Sequence, residues 1–526
     1  MTRRRFLLGA LLVALFALGW SAGGGRASGA LYGNLDTFVE VLHAVQTSYV
    51  DPVQPRNLIE GGLHGMLREL DAWSDYLDPH EYAALKSTGD DDAGGAGLLL
   101  DLREGYPVVA STIEDSPAWN AGVRTGDVLL KVDDHATLGL SVPDVGACLG
   151  GEPGSKVTVQ IARAGEAGPL DLVIERARTS TRSVPYAFVA APGIGYARVA
   201  RIGERAGAEL AAALDSLRAG GAHALVLDLR GDPGGSIEQA VAVAQQLLPE
   251  GAVVATTHGR TATAARRYVA GRTRTESAWP VAVLIDGGSA SAAEIVAGAL
   301  QDHDRALLVG QPTFGHASVQ ELIPLRNDEG ALRLTTAIVL TPSGRAIRRA
   351  AAADGTDDEG DDDAPADTTA TPAPATVFHT TSGRVVHAGG ISPDVAVDPD
   401  SLPPAARAIA SRRLAPAFAT RWVAQHGATT VVSDDVWSAF RAEAAQQGAA
   451  AAAEADRERA AIAPMLEREL VLRSAGPEAA ARVALAHDPV FQRAAAVLRQ
   501  ARSAREVFAL ATGGHPRDER PTRKAR

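Results

Sequence analysis

The sequence predicts an α/β layer with a largely parallel sheet, preceded by a small β domain and bounded by helical regions at both ends. Three observations carry this. Buried-strand runs at Ala224–Leu229, Val281–Ile285 and Ala306–Val309 alternate with Ala-rich helical stretches at Glu204–Ala219, Ser236–Leu248 and Ala290–Gln301. Short β-forming runs broken by Gly126-Asp127 and Pro153-Gly154 come before them. Helical spacing of apolar residues fills the chain from Leu31 to about Lys86, and few strand formers occur beyond Pro404.

At the N-terminus, Arg3, Arg4 and Arg5 precede an apolar run from Phe6 to Trp20, and small residues follow to Ala30. A charged start, a short apolar stretch and small residues form an export segment, cleaved or kept as an anchor in the inner membrane. Thr2-Arg-Arg-Arg-Phe-Leu-Leu8 also resembles a twin-arginine signal. Residues 31–90 read as helical, with Leu35, Phe38, Val39, Leu42 and Val45 on one stripe. Residues 91–178 read as β, with strands at Leu98–Leu102, Val108–Ile113, Val128–Val132 and Val157–Ile161. Residues 179–398 carry the strand–helix alternation, and 399–526 a helical extension.

Residues 350–376 interrupt that layer. Eight acidic residues lie between Asp354 and Asp367, followed by a Thr/Pro/Ala-rich run, a composition too poor in apolar groups to offset its ordering entropy. A disordered insertion is expected; the spacing lacks the alternating ligands of a calcium loop.

Composition excludes several function classes. The chain has 526 residues and a net charge of −12, which opposes nucleic-acid binding. Its one cysteine, Cys148, rules out an internal disulfide framework and a cysteine-rich zinc site, and its small apolar neighbours suit a packing residue.

Two Gly-rich turns carry the chemistry. In Asp286-Gly-Gly-Ser-Ala-Ser-Ala-Ala-Glu-Ile295 an apolar strand runs into a small-residue turn and then a helix. A serine there lies at the positive end of the helix dipole, beside backbone N–H groups that can hold an oxyanion. Ser289 or Ser291 as a simple helix cap is the competing reading. In Leu225-Val-Leu-Asp-Leu-Arg-Gly-Asp-Pro-Gly-Gly235 a second strand ends the same way, so Gly234 or Gly235 could supply a second donor beside Ala292. Neither turn has the Gly-Lys-Ser/Thr of a phosphate loop.

A third segment, Gly310-Gln-Pro-Thr-Phe-Gly-His-Ala-Ser-Val-Gln-Glu-Leu322, makes a resemblance specific. In this order the three resemble the carboxyl-terminal processing (tail-specific) serine peptidases. That family's segments are Asp-Leu-Arg-x-Asn-Pro-Gly-Gly, Gly-Ser-Ala-Ser-Ala-Ser-Glu-Ile and Gly-x-x-Thr-Phe-Gly-Lys-Gly-x-Val-Gln. Tyr49-Val-Asp-Pro and Leu58-Ile-Glu-Gly-Gly-Leu-His-Gly-Met-Leu67 are similar to its N-terminal region. Ser116-Pro-Ala, Ala121-Gly-Val and Gly126-Asp-Val-Leu-Leu-Lys-Val-Asp133 are similar to its PDZ domain. Thr341-Pro-Ser-Gly-Arg345 and Gly389-Gly-Ile-Ser-Pro-Asp394 are similar to the close of its core.

The resemblance implies a ClpP/crotonase-like α/β peptidase core with an inserted PDZ domain. It implies protein or peptide substrates with unstructured C-termini, no metal or organic cofactor, and leaves a homo-oligomer open. Ser291 takes the nucleophile place, His316 falls 25 positions later where the family has lysine, and Gln320 matches the third member. Gly97, Leu98 and Leu99 are the expected peptide-binding edge of the PDZ, through backbone N–H groups and strand addition. A serine needs a base. A Ser291–His316–Gln320 triad, another base such as His303, and an inactive site that survives as a PDZ scaffold are the outcomes the lysine's replacement leaves. Gly150 replaces the arginine usual in the PDZ, and Leu70-Asp-Ala-Trp-Ser74 and Ala293 depart from the pattern too.

Overall fold

In the computed structural model, residues 25–511 are described apart from 72, 80, 84–95, 104–105, 113–115, 141, 164–165, 167, 178–181, 273–278, 327–329, 350–376 and 399–401. The apolar run Phe6–Trp20 and the acidic stretch 350–376 therefore lie outside the described residues.

Up to Tyr76 the chain forms helices α1 (Gly25–Ser48) and α2 (Pro55–Arg68). Pro55 opens α2 at a position whose N–H has no intrahelical acceptor. Phe38 packs on the bare face at Gly62, and His64 Nδ1 lies 2.6 Å from Asp75 Oδ1.

A six-strand antiparallel sheet follows, in the order β1 (Leu98–Arg103), β2 (Tyr106–Thr112), β3 (Val128–Val132), β4 (Lys156–Ala162), β5 (Leu170–Glu175), with the short strand His135–Ala136 paired to β3. Helices α3 (Pro117–Ala121) and α4 (Val142–Leu149) close over it. Strand β1 is an edge, bulged between Leu99 and Leu100. Leu98 and Leu100 enter this domain's core; Leu99 packs instead with Ala110, Ala290 and Phe314. Cys148 is half-buried against the same core, and burial raises its thiol, as befits a packing residue.

The central sheet runs β6 (Ala187–Ala191), β7 (Ile194–Arg198), β8 (Ala224–Asp228), β11 (Val281–Ile285), β12 (Leu307–Gly310), β15 (Val395–Ala396), and all its pairings except β6–β7 are parallel. Arg198, Asp228 and Leu284 are in register, so the turns leaving β7, β8 and β11 emerge side by side. A second, antiparallel sheet holds β9 (Val253–Gly259), β10 (Arg267–Val269), β13 (Ser318–Pro324) and β14 (Ala331–Leu340).

The strands of the central sheet are almost wholly apolar because both faces are covered, with charge only at Arg198 and Asp228, the last residues of β7 and β8. Leu225, Leu227, Val281 and Val283 face α5 (Ala206–Ala219), α6 (Ile237–Ala244) and α7 (Ala292–Asp302). Ala224, Val226, Ala282 and Leu284 face the helical extension, meeting Leu485, Phe491, Ala494 and Leu498. The extension comprises α8 (Pro404–Ser411), α9 (Leu414–His426), α10 (Asp434–Gln446), α11 (Ala452–Arg457), α12 (Arg459–Ala475), α13 (Pro477–Ala486), α14 (Pro489–Leu498) and α15 (Ala504–Ala511). Its first five helices have a core of their own around Phe418, Trp437, Phe440 and Leu466. The same region grips the domain of β1–β5. Arg413 Nη1 donates to the Trp119 carbonyl at 2.6 Å, and Arg124 Nη2 to the Ala410 carbonyl at 2.9 Å. Among the described residues no helix is long and apolar enough to cross a membrane.

Candidate active site

The turn after β11 is tied down by its first serine, not its second. Ser289 is fully buried, its Oγ donating to the Leu229 carbonyl at 2.8 Å and lying 3.1 Å from the Asp286 N–H, so it joins the two Gly-rich turns. Asp286 Oδ1 adds N–H bonds from Gly231 at 2.8 Å and Gly288 at 2.9 Å. These bonds fix the relation of the β8 and β11 turns before any substrate arrives.

Ser291 sits at the N-terminus of α7 with φ 52° and ψ −115°, a backbone state rare for a residue with a side chain and costing on the order of 1–3 kcal/mol. Its hydroxyl does not cap the helix. The Glu294 N–H bonds the Ser291 backbone carbonyl instead, at 3.0 Å. Ser291 therefore stands at the N-cap position through its backbone, whose N–H bonds the Glu294 carboxyl, and not through its hydroxyl.

Glu294, three residues on, is completely buried and does the holding. Its carboxyl accepts from Ser291 N–H (3.0 Å), His316 N–H (2.9 Å), Gly315 N–H (2.7 Å) and Thr313 Oγ1 (2.5 Å). Burial pushes this acid up to about 7, against the pull of those four donors. Sequence reasoning assigned it no role. The available signal was a lone acid within Ala292-Ala-Glu-Ile-Val-Ala, where every neighbour is apolar.

The backbone donors differ in what already occupies them. Gly234 N–H is taken by Asp232 Oδ1 at 2.8 Å. No hydrogen bond of Gly235 or Ala292 N–H is found among the described residues. Only glycine fits the β8 turn: a Cβ at Gly234 (φ 94°) would stand 2.7 Å from Ser291 Cβ and from Ala292 N.

Ser291 and His316 are brought together through backbone: the Ser291 N–H donates to the His316 carbonyl at 3.1 Å. The imidazole itself lies with Nε2 3.1 Å from Ser318 Oγ. Gln320, on edge strand β13, is exposed and makes no side-chain hydrogen bond among the described residues. His303 is at the opposite end of α7, its Nε2 2.7 Å from the Val253 carbonyl. Gly97, Leu98 and Leu99 begin β1, with Gly97 at φ 75°.

Behind the turns, the Asp228 carboxylate takes a two-point bond from Arg230, at 2.9 and 2.6 Å. Burial alone would raise this acid, and the Arg230 guanidinium overrides it, holding it at about 2. Asp488 of the extension reaches the same guanidinium at 2.7 Å. These groups line a cavity of about 420 Å³ at the carboxyl ends of the parallel strands, with Arg198, Tyr196 and Arg468.

Comparison with known proteins agrees with this arrangement. Residues 193–355 match the model of peptidase family S41, and residues 108–163 that of the PDZ domain. A carboxy-terminal-processing protease of Bartonella bacilliformis is 37% identical over 321 residues, 60% of this chain and 73% of the relative. A carboxyl-terminal-processing protease of Synechocystis is 32% identical, over 57% of this chain and 70% of its own. Among solved structures, a photosystem II D1 C-terminal processing protease superposes with a TM-score of 0.51 at 28% identity, over 70% of this chain and 93% of that one.

Proposed function

This chain belongs to the carboxy-terminal-processing proteases of peptidase family S41, and from that premise we propose that it is an exported serine endopeptidase acting through an acyl-enzyme on Ser291. The observation that carries the reading is Ser291 held at the start of α7 in a strained backbone, its hydroxyl not used as a cap, beside the unoccupied N–H groups of Ala292 and Gly235.

In this reading the substrate's unstructured C-terminus adds to edge strand β1 at Gly97–Leu99, and the chain passes on to Ser291. The imidazole of His316 leaves Ser318 and turns to the Ser291 hydroxyl, taking its proton as Oγ bonds the scissile carbonyl carbon. The carbonyl oxygen becomes an oxyanion between Ala292 and Gly235. The C–N bond then breaks, the departing amine takes the proton from His316, and water releases the acyl group by the reverse sequence. Export to the periplasm or cell envelope is supported by Arg3–Arg5 and the apolar run after them.

A second reading, a catalytically impaired PDZ scaffold, is favoured by the engagement of the imidazole with Ser318 and the exposure of Gln320. Purified wild type, Ser291→Ala and His316→Lys on an unfolded substrate with a free C-terminus decide between them. The peptidase reading expects wild type well above Ser291→Ala. Equal rates for these two, with a large gain in His316→Lys, support the scaffold.

A further inference from the structure

Asp232 is fully buried in the β8 turn, and half of its carboxyl is unanswered. Oδ1 accepts the Gly234 N–H at 2.8 Å, whereas Oδ2, equally buried, meets no hydrogen-bond partner among the described residues. The residue's own carbonyl accepts the Ala290 N–H at 2.9 Å, so it is bound to the nucleophile turn as well. Gly234, which it grips, lies against Ser291 Cβ and Ala292 N. The carboxyl is thus built into the wall that carries both candidate oxyanion donors.

A buried carboxylate with one empty oxygen is expensive, and a neutral acid much less so. Burial pushes Asp232 up to about 7, with the Gly234 bond and the fields of Arg198 and Arg201 pulling the other way. Arg198 donates to the carbonyls of Val199 and Asp228. On the facing turn Asp286 takes the Gly231 N–H, and on α7 Glu294 holds Ser291.

We propose that Asp232 is a positioning residue that works as a neutral carboxylic acid, and that its ionisation switches the oxyanion donors off. As an anion it would place a like charge beside the carbonyl oxygen that must become negative. It would also bind the Gly234 N–H more tightly, by a charge-assisted bond. Rising pH therefore silences the wall that carries the oxyanion donors, which sets an alkaline limit on the reaction.

This role rests on the peptidase reading, and the test separates the two. Asparagine keeps the shape and the neutral charge, and stands at this place in the family segment. One pH unit above its pKa an acid is about nine-tenths ionised, so the kcat ratio of Asp232→Asn to wild type rises roughly tenfold between pH 6 and pH 8. Superimposable kcat–pH profiles, with wild type well above Ser291→Ala, would overturn the role and leave the peptidase reading standing. Wild type no faster than Ser291→Ala overturns both. A second measurement does not depend on turnover: the Tm advantage of Asp232→Asn should widen from pH 5 to pH 8, because the raised acid loses its proton only in the folded protein's upper range. A constant difference would show that Asp232 is not held neutral.

Discussion

Ser291 and His316 are joined by backbone, not by side chain: the serine N–H donates to the histidine carbonyl at 3.1 Å, while the imidazole Nε2 lies 3.1 Å from Ser318 Oγ. Position and chemistry are thereby separated. The segment that carries His316, just before β13, is fixed against the Ser291 turn, and in the proposed mechanism the ring has one further movement to make. Removing the ring with His316→Ala should therefore lower kcat by roughly 10²–10⁴, the range of a lost general base, with far-UV circular dichroism unchanged.

Glu294 holds both segments, so the acid itself can be tested. Glu294→Gln puts an NH₂ where two of the four donors now find an oxygen. Each buried donor left unmet costs about 1–3 kcal/mol. We expect a Tm lowered by several degrees and kcat lowered at least tenfold, with binding of a C-terminal peptide to the PDZ unchanged by fluorescence anisotropy. A loss of peptide binding in step with kcat would point to general unfolding instead.

Stability should move in opposite directions at the two ends of the pH scale. Asp232 and Glu294 are raised to about 7 in the folded protein, so their contributions are complete below about pH 4 and decline as pH rises through 7. Asp228 is held at about 2, so its contribution is present above about pH 4 and is lost as pH falls toward 2. Thermal unfolding across pH 3–8 should give a Tm maximum on the acid side of neutrality; a Tm still rising from pH 6 to pH 8 would contradict this.

The helical extension is part of the core layer, and Phe491 anchors it on the sheet, edge-on to Tyr196 with ring centroids 5.9 Å apart. Phe491→Ala should cost on the order of 3–5 kcal/mol, read by urea unfolding. Asp488→Asn keeps an acceptor for the Val490 and Phe491 N–H groups but removes the charge paired with Arg230, and should cost well under half as much.

The parallel layer was legible because its strands are continuous apolar runs and helices follow them, as at Ala224–Leu227 and Val281–Ile285. The nucleophile turn was legible from its small residues and from the family segments. What the pattern could not convey was which partner covers the second sheet face. Ala-rich helices beyond Pro404 read alike whether they stand alone or pack, and only the fold pairs Leu485 and Leu498 with Ala224 and Leu284. The same holds for the chemistry within the turns. Asp232 and Glu294 look like ordinary polar residues of a loop and a helix start. Their burial, which gives them their pKa values, comes from segments far away in sequence. At the N-terminus the expected helix ended earlier than Lys86: α2 stops at Arg68, and Asp75–Leu77 is a strand.

The ion pair between Arg230 and Asp488 has a consequence for the order in which the molecule is made. Arg230 leaves the ribosome with the first half of the sheet, and its second carboxylate partner, Asp488, follows only after the rest of the sheet and most of the helical extension, together with Phe491 and Leu498. Until then one whole side of the strands beneath the nucleophile turn is bare. That face of the sheet is therefore covered only after all of its strands have been made.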